Sequence, residues 1–380
     1  MDFSYTEEQK MLRKMVREFA ENELAPDARE RDREERFPDA QVKKMGELGF
    51  LGIYVDPKWG GGGMDMISYC IMMEELSRVD ASAGVVASVN NSLICAGLEK
   101  FGTEAQKEKY LRPLAKGEKL GAFCLSEPST GSDASALKTT AVLKGDKYII
   151  NGAKNFITNG TKSQVYLVFA TLDVNSSYKG VRCFIIERDT PGFTIGKKEK
   201  KLGIRSSDTC SLNFDQCAIP AENLLGERDD GFSIALTVLD GGRIGIASQA
   251  LGIASGAFDA AVKYAKEREQ FGKPISSFQA IQFMLAEMEI KIEAARLLIY
   301  KSASLRDAGE NYSIASARAK LFASETAMFC ADKAVQIHGG YGYIKDYPVE
   351  RFLRDAKITE IYEGTSEIQK LVVARDVLVS

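Results

Sequence analysis

The spacing of apolar residues changes character twice along the chain. From Thr6 to about Gly102 the period is helical. Met11, Leu12, Met15, Val16 and Phe19 recur on one face. Thr6 and Gln9 ahead of them have the form of a capping box, and Pro26 marks the exit. Val42, Met45 and Leu48 repeat the period after Pro38, a residue suited to a first helical turn. Two more apolar segments follow, 66–76 and 81–98. Between them and Leu48, 59–63 (WGGGG) reads as a flexible loop. As a phosphate cradle it lacks the Lys-Ser/Thr that such a loop requires.

From about 120 to 230 the period shortens. Runs 139–143 and 147–150 flank a Gly145-Asp146 turn, predicting a hairpin. Runs 165–170 and 181–186 are short apolar strands, and 210–214 alternates with polar residues. From Gly231 the helical period returns in three long runs, 232–265, 277–308 and 313–337. They are rich in Ala, Leu, Ile and Met, which predicts a bundle whose outer faces are also buried, and hence an oligomer. The sheet is segregated from the helices, so the fold class is α+β multidomain, not doubly wound. The division expected is 1–119, an N-terminal α-helical domain; 120–230, a middle β domain; and 231–380, a C-terminal α-helical bundle domain.

Composition narrows the chemistry. The 380 residues carry a net charge of −3, with 45% apolar and 27% charged residues. There is no basic excess for a nucleic-acid partner. No apolar run approaches the roughly 18 residues of a membrane span. The opening MDFSYTEEQK lacks the features of an export signal, so a cytoplasmic location is expected. Seven dispersed cysteines without a CxxC pair read as reduced thiols, and no metal site is expected. His338 is the single histidine, so an enzyme of this composition would use a carboxylate or a lysine as its general base. Neither GxGxxG nor GxxxxGK[ST] occurs, which leaves no Rossmann turn for a dinucleotide.

Four segments carry polar chemistry: 123–133 (FCLSEPSTGSD), 155–159 (NFITN), 336–343 (QIHGGYGY) and 361–369 (IYEGTSEIQ). Singly, each has an ordinary reading: a strand exit, a core aromatic, a helix cap, a solvated glutamate. In this order, and with 239–243 (LDGGR), 267–273 (EREQFGK) and 347–363 (YPVERFLRDAKITEIYE), they resemble the acyl-CoA dehydrogenase family of flavin enzymes over nearly the whole chain. The likeness is greatest to the short-chain, butyryl-CoA branch.

The resemblance implies an N-terminal α-helical domain, a middle β-barrel and a C-terminal four-helix bundle. It implies a homotetramer with FAD between the middle and C-terminal domains near a subunit boundary. The implied reaction is FAD-dependent α,β-dehydrogenation of a short-chain acyl-CoA to the trans-2-enoyl-CoA. Glu363 would abstract the α proton, flavin N5 would accept the β hydride, and electron-transferring flavoprotein would be the electron acceptor.

For the cofactor, Phe123, Cys124, Leu125, Ser126, Gly131 and Ser132 match the loop against the isoalloxazine and pyrophosphate. Phe156, Ile157 and Thr158 match a segment lining the flavin, with Phe156 where many relatives carry Trp. Arg268, Phe271 and Gln279, with Gln336, Ile337, Gly339 and Gly340, match positions reaching the ADP part from a neighbouring subunit. Thr365 and Glu367 follow the base onto the flavin. For the substrate, Ser132, Asp240, Arg243, Tyr362 and Gly364 match thioester and CoA contacts. Relatives of the isovaleryl and long-chain type carry their base at the position of Gly242, which here has no side chain. Residues 90–93 (NNSL) either border the acyl pocket or pack as an ordinary helix surface. A dehydrogenase of a branched or alicyclic acyl-CoA and a flavin acyl-CoA oxidase are the alternative activities. A DNA-associated relative would need a basic C-terminal surface that the sequence lacks.

Overall fold

The computed structural model describes residues 4–227 and 231–379. The boundary expected at 230/231 adjoins 228–230, which lie outside the described residues. Helix α1 (Glu7–Phe19) opens on the expected capping box, Thr6 and Gln9 each satisfying the other's backbone amide. Its buried stripe is Leu12, Val16 and Phe19. Met11 and Met15 lie one residue off that stripe and are exposed. Pro26 does not end the helical run. The chain passes through a π turn at Ala20–Leu24 into α2 (Ala25–Glu34), where Pro26 occupies the first turn and no amide is required. The exit comes at Glu35, in the left-handed region.

Helix α3 (Asp39–Glu47) buries Val42 and Met45 but not Leu48. The WGGGG segment is packed tightly. The amides of Gly62, Gly63 and Met64 bond to Gly52, Val55 and Ile53 carbonyls, and a Cβ on Gly61 would overlap Val55. The donors a phosphate would need are already used. Helix α4 (Met66–Val79) is followed by α5 (Ala81–Ser88), which continues through a π segment, Val89–Cys95, into α6 (Ala96–Phe101). Contrary to expectation, Ala81–Phe101 is long and apolar enough to cross a membrane. Nearly all of it is buried inside the protein, which accounts for its composition. Short helices α7 (Glu104–Gln106) and α8 (Arg112–Ala115) complete this part.

The strands are β1 (Gly121–Cys124), β2 (Thr140–Lys144), β3 (Lys147–Thr158), β4 (Val165–Thr171), β5 (Val181–Glu187), β6 (Phe193–Lys198), β7 (Thr209–Pro220) and β8 (Leu224–Leu225). The β2–β3 hairpin turns at Gly145, with Lys144 opposite Lys147. The order is β6-β7-β3-β2-β4-β5-β8, with β1 on β4. The two arms join only at Thr140 opposite Thr171. They close on each other through side chains, Tyr148 against Phe184 and Tyr166 against Phe193, so the barrel has a shared interior without a continuous ring of backbone bonds. The other faces of β4 and β5 pack on the helices. Burial on both faces explains why these strands show no alternation.

Helices α9 (Gly231–Glu267), α10 (Gln279–Asp307) and α11 (Ser313–His338) pack on one another, with α12 (Val349–Thr359) and α13 (Ser366–Val379) against α11. A two-residue hairpin, β9 (Glu269–Gln270) and β10 (Lys273–Pro274), links α9 to α10. All seven cysteines are buried and unbridged.

Candidate active site

Helix α12 ends at Thr359, and the chain then makes a turn that few sequences tolerate. Glu363 has φ 51° and Gly364 φ 95°, two successive residues in the left-handed region. For the glutamate this conformation costs on the order of 1–3 kcal/mol, and the surroundings hold it. The Gly364 carbonyl accepts from Lys320 Nζ at 2.7 Å and from Gln369 Nε2 at 3.0 Å. The Ser366 amide returns to the Glu360 carbonyl at 2.9 Å.

The turn points the Glu363 carboxylate at α9, where position 242 is glycine. A Cβ there would overlap Glu363 Oε2 and stand 2.8 Å from Leu93 Cδ2. Gly242 is therefore the space that the carboxylate fills. Oε2 is enclosed and has no hydrogen-bond partner among the described residues. Burial dominates its titration and lifts the carboxyl from 4.5 to about 7, against the opposing charges of Lys320 and Arg243. An enclosed carboxylate with an unpaired oxygen and a neutral-range pKa is suited to accept a proton from carbon.

Leu93 explains the 90–93 segment, which splits in role. Asn90 and Asn91 are fully buried staples. Asn90 Nδ2 donates to the Leu51 and Leu114 carbonyls, and its Oδ1 accepts from the Gly121 amide. Asn91 Nδ2 donates to the Phe50 and Ala87 carbonyls, and its Oδ1 accepts from the Ile53 amide. Neither reading of the segment holds for all four residues: only Leu93 faces the base. Ile94 packs the opposite way, onto Gly121 at the start of β1. The π segment thus lies between the Glu363 turn and the start of β1.

Past the other end of β1, the two sequence segments expected to line a flavin meet. The Asn155 amide donates to the Ser126 carbonyl at 2.9 Å. Buried Lys154 donates to Glu127 at 2.7 Å and to the Leu125 carbonyl at 3.0 Å. Glu127 also accepts from the Lys138 and Thr139 amides. Strand β3 skips register between Lys154 and Ile157, and in that bulge Phe156 takes φ 58° and is 66% exposed. A large aromatic held out of the core by a strained bulge is a platform for a flat ligand, so these residues fit a flavin. Phe123 and Ser126 are half-buried, Cys124, Leu125 and Ile157 are buried, Thr158 is half-buried, and Gly131 and Ser132 are exposed.

The residues expected at the ADP part do not converge here. Arg268, Ile337, Gly339 and Gly340 line a separate surface pocket of about 540 Å³ with Tyr264, His338 and Tyr341. Phe271 sits at the tip of the β9–β10 hairpin, 93% exposed. Gln279 and Gln336 are exposed at the start of α10 and the last turn of α11. On α9, Arg243 donates to Asp240 at 2.6 Å. Arg243 is buried with its Nε unpaired, and burial raises the Asp240 carboxyl. Tyr362 donates a short hydrogen bond to Gln249. Thr365 Oγ1 accepts from the Ile368 amide, and Glu367 is exposed in the first turn of α13.

Sequence reasoning missed Lys320, Gln369 and the Glu127–Lys154 pair. Lys320 had a signal. It falls on the buried stripe of α11 with Ala317, Ser324, Ala327 and Ala331, where a charge needs a reason.

An α–β–α frame that encloses an unpaired carboxylate with a raised pKa, and that holds an exposed aromatic on a strained bulge, suits an oxidoreductase that takes a proton from carbon and works with a flat redox cofactor. Three family models match in succession: Acyl-CoA dehydrogenase, N-terminal domain, over residues 6–118; middle domain over 122–217; and C-terminal domain over 229–378. The chain belongs to the acyl-CoA dehydrogenase family, whose members are FAD-dependent oxidoreductases. It is 55% identical over 374 residues to an "Acyl-CoA dehydrogenase, short-chain specific" of Clostridium acetobutylicum, covering 98% of this chain and 99% of the relative. It superposes on the butyryl-CoA dehydrogenase of Megasphaera elsdenii with a TM-score of 0.98 at 48% identity, over the whole of both chains. A chain solved with work on the "Electron transferring flavoprotein of Acidaminococcus fermentans" gives 0.99 at 54%, again over the whole of both.

Proposed function

We propose that the protein oxidises a short-chain acyl-CoA to the trans-2-enoyl-CoA, with Glu363 as the base that takes the α proton. The observation that carries this reading is the enclosed, unpaired Glu363 Oε2 in the space left by Gly242. When bound, FAD supplies the acceptor for the β hydride, at flavin N5. Phe123 to Ser126, Gly131, Ser132 and Phe156 to Thr158 would hold its flavin end, with Thr365 and Glu367 beside it. The protein's own work is to orient the acyl group, exclude water and hold the proton on Glu363. Ser132, Asp240, Arg243, Tyr362 and Gly364 would contact the thioester and CoA.

A short acyl chain is favoured by the face of α9 that begins at Gly242. One turn on, a Cβ at Gly245 would overlap Tyr69 Oη and stand 2.7 Å from Ser88 Oγ; one turn further, Gln249 accepts from Tyr362 and donates to the Ala81 carbonyl at 2.7 Å. The face is closed within about two turns, roughly 10 Å.

Arg268, Phe271, Gln279, Gln336, Ile337, Gly339 and Gly340 would bind the ADP part in a second copy. The pocket that Arg268, Ile337, Gly339 and Gly340 line holds no residue of the Glu363 cluster, and this and the exposed Phe271 support a homo-oligomer. So do Phe283, Ile290 and Leu297, an exposed apolar stripe along α10 at seven-residue spacing. The arrangement is a homotetramer, passing electrons to electron-transferring flavoprotein in the cytoplasm, where buried free thiols stay reduced. Domain limits of 1–119, 120–230 and 231–380 follow the last helix before β1 and the start of α9. Anaerobic titration of the purified flavoprotein with acyl-CoA thioesters tests the reading: butyryl-CoA bleaches the flavin and Glu363→Gln abolishes the bleaching. Bleaching by branched or ring thioesters alone would transfer the activity to those substrates, and rapid turnover with oxygen would make it an oxidase.

A further inference from the structure

Lys320 is fully buried on α11, and its hydrogen bond goes to a carbonyl, not to a carboxylate. Among the described residues it has no ion-pair partner in contact. An ammonium is expensive to bury in this way, and a methionine would fill the same volume. The acceptor it has chosen is the carbonyl of Gly364, the second residue of the left-handed turn. The charged groups facing Lys320 are Glu363 itself, Arg243 on α9, Glu360 after α12 and Glu367 on α13. Those facing Glu363 are Lys320 and Arg243, and the buried phenols of Tyr362 and, on α4, Tyr69 are the other titratable groups that feel its charge.

We propose that Lys320 is a positioning residue for the proton abstraction: it fixes the Glu363–Gly364 turn through the Gly364 carbonyl and places a positive charge behind the base. This rests on the reading of Glu363 as the base. Gln369 holds the same carbonyl from α13 but carries no charge, so the two partners divide the work. Both can aim the turn, and only Lys320 favours the ionised carboxylate. Burial brings the amine down from 10.5 to about 8, with Glu363 opposing the shift. The amine and the carboxyl are therefore both mostly charged between about 7 and 8, and Lys320, half neutral at about 8, loses the rest of its charge above that.

Two substitutions separate geometry from charge in the FAD-loaded enzyme. Lys320→Gln can keep a donor to Gly364 without the charge; Lys320→Met loses both. Two readouts are used: anaerobic flavin bleaching by butyryl-CoA from pH 6 to 9, and the Glu363 carboxyl titration without substrate. The second comes from infrared difference spectra in the carboxyl-stretch region, each variant being compared with its own form that also carries Glu363→Gln. Both variants should raise the Glu363 titration by about one pH unit or more. Lys320→Met should also bleach at least about tenfold more slowly at high pH with little change in KM, while Lys320→Gln recovers most of that rate. An unmoved infrared titration in both variants overturns the proposal. So does loss of folding or FAD in both, which would make Lys320 a structural residue. If wild type is not bleached by butyryl-CoA, the proposed function fails and the infrared titration still decides the role of Lys320.

Discussion

Glu363 titrates near 7, and that value can be tested by following flavin reduction against pH. Proton abstraction needs the carboxylate. With a carboxyl at about 7, roughly a tenth of the molecules hold an ionised base at pH 6, and on the order of a hundredth at pH 5. An ordinary carboxyl at 4.5 would be almost wholly ionised at pH 6. The second-order rate constant for bleaching, taken at butyryl-CoA well below saturation so that the free enzyme's carboxyl is read, should therefore fall about tenfold per pH unit below 7 and level off above it. The same burial has a thermodynamic consequence. A raised acid pKa means that the fold disfavours the charge, so the cost is absent below 4.5, grows between 4.5 and 7, and is complete above. Two and a half units correspond to about 3 kcal/mol. Glutamine does not titrate, so the stability difference between Glu363→Gln and wild type should move by about 2.5 kcal/mol in the variant's favour from pH 5 to pH 8, the remainder being already present at pH 5. Denaturant midpoints at matched protein concentration and FAD loading measure it. A bleaching rate that is flat from pH 7.5 to 5.5, or a stability difference independent of pH, would refute the reasoning.

Gly242→Ala should keep FAD but slow bleaching by on the order of 100-fold, because the new Cβ displaces the Glu363 carboxylate; a wild-type rate would show that the base lies elsewhere. Arg268→Ala should lower both FAD retention and oligomer size, read as the flavin-to-protein absorbance ratio across a gel-filtration peak; full occupancy in an intact oligomer would remove Arg268 from the cofactor site. Across C4, C6 and C8 thioesters kcat/KM should fall with length, since a closed face forfeits the roughly 0.8 kcal/mol that each accommodated methylene would add; C8 exceeding C4 would mean the face is open.

The sequence was most legible where one local rule decides the structure. The long periods of α9, α10 and α11 needed only helical spacing, and the β2–β3 turn needed only Gly145 between two strands. Legibility failed where tertiary packing overrides the local signal. Pro26 looks like a stop, yet a π turn before it lets the helix resume. The glycines at 60–63 look free, yet Val55 and Ile53 stand against two of them. Strand β6 went unread because among the described residues it pairs with β7 alone, and half of its six residues are exposed.

The candidate site divides along the same line. Glu363 can be matched by its neighbours in the chain, but nothing in IYEGT says that its carboxylate has room, an unpaired oxygen and a raised pKa. Those come from position 242, more than a hundred residues earlier, from Leu93 in a π segment and from Lys320 on a third element. The absence of a side chain at Gly242 and the carboxylate at Glu363 describe one volume, filled from one side. A sequence shows the two residues as separate facts. Only the packing of α9 against the α12–α13 turn makes each the condition of the other, which is why a single methyl at 242 is expected to impair the chemistry while leaving every residue of the motif in place.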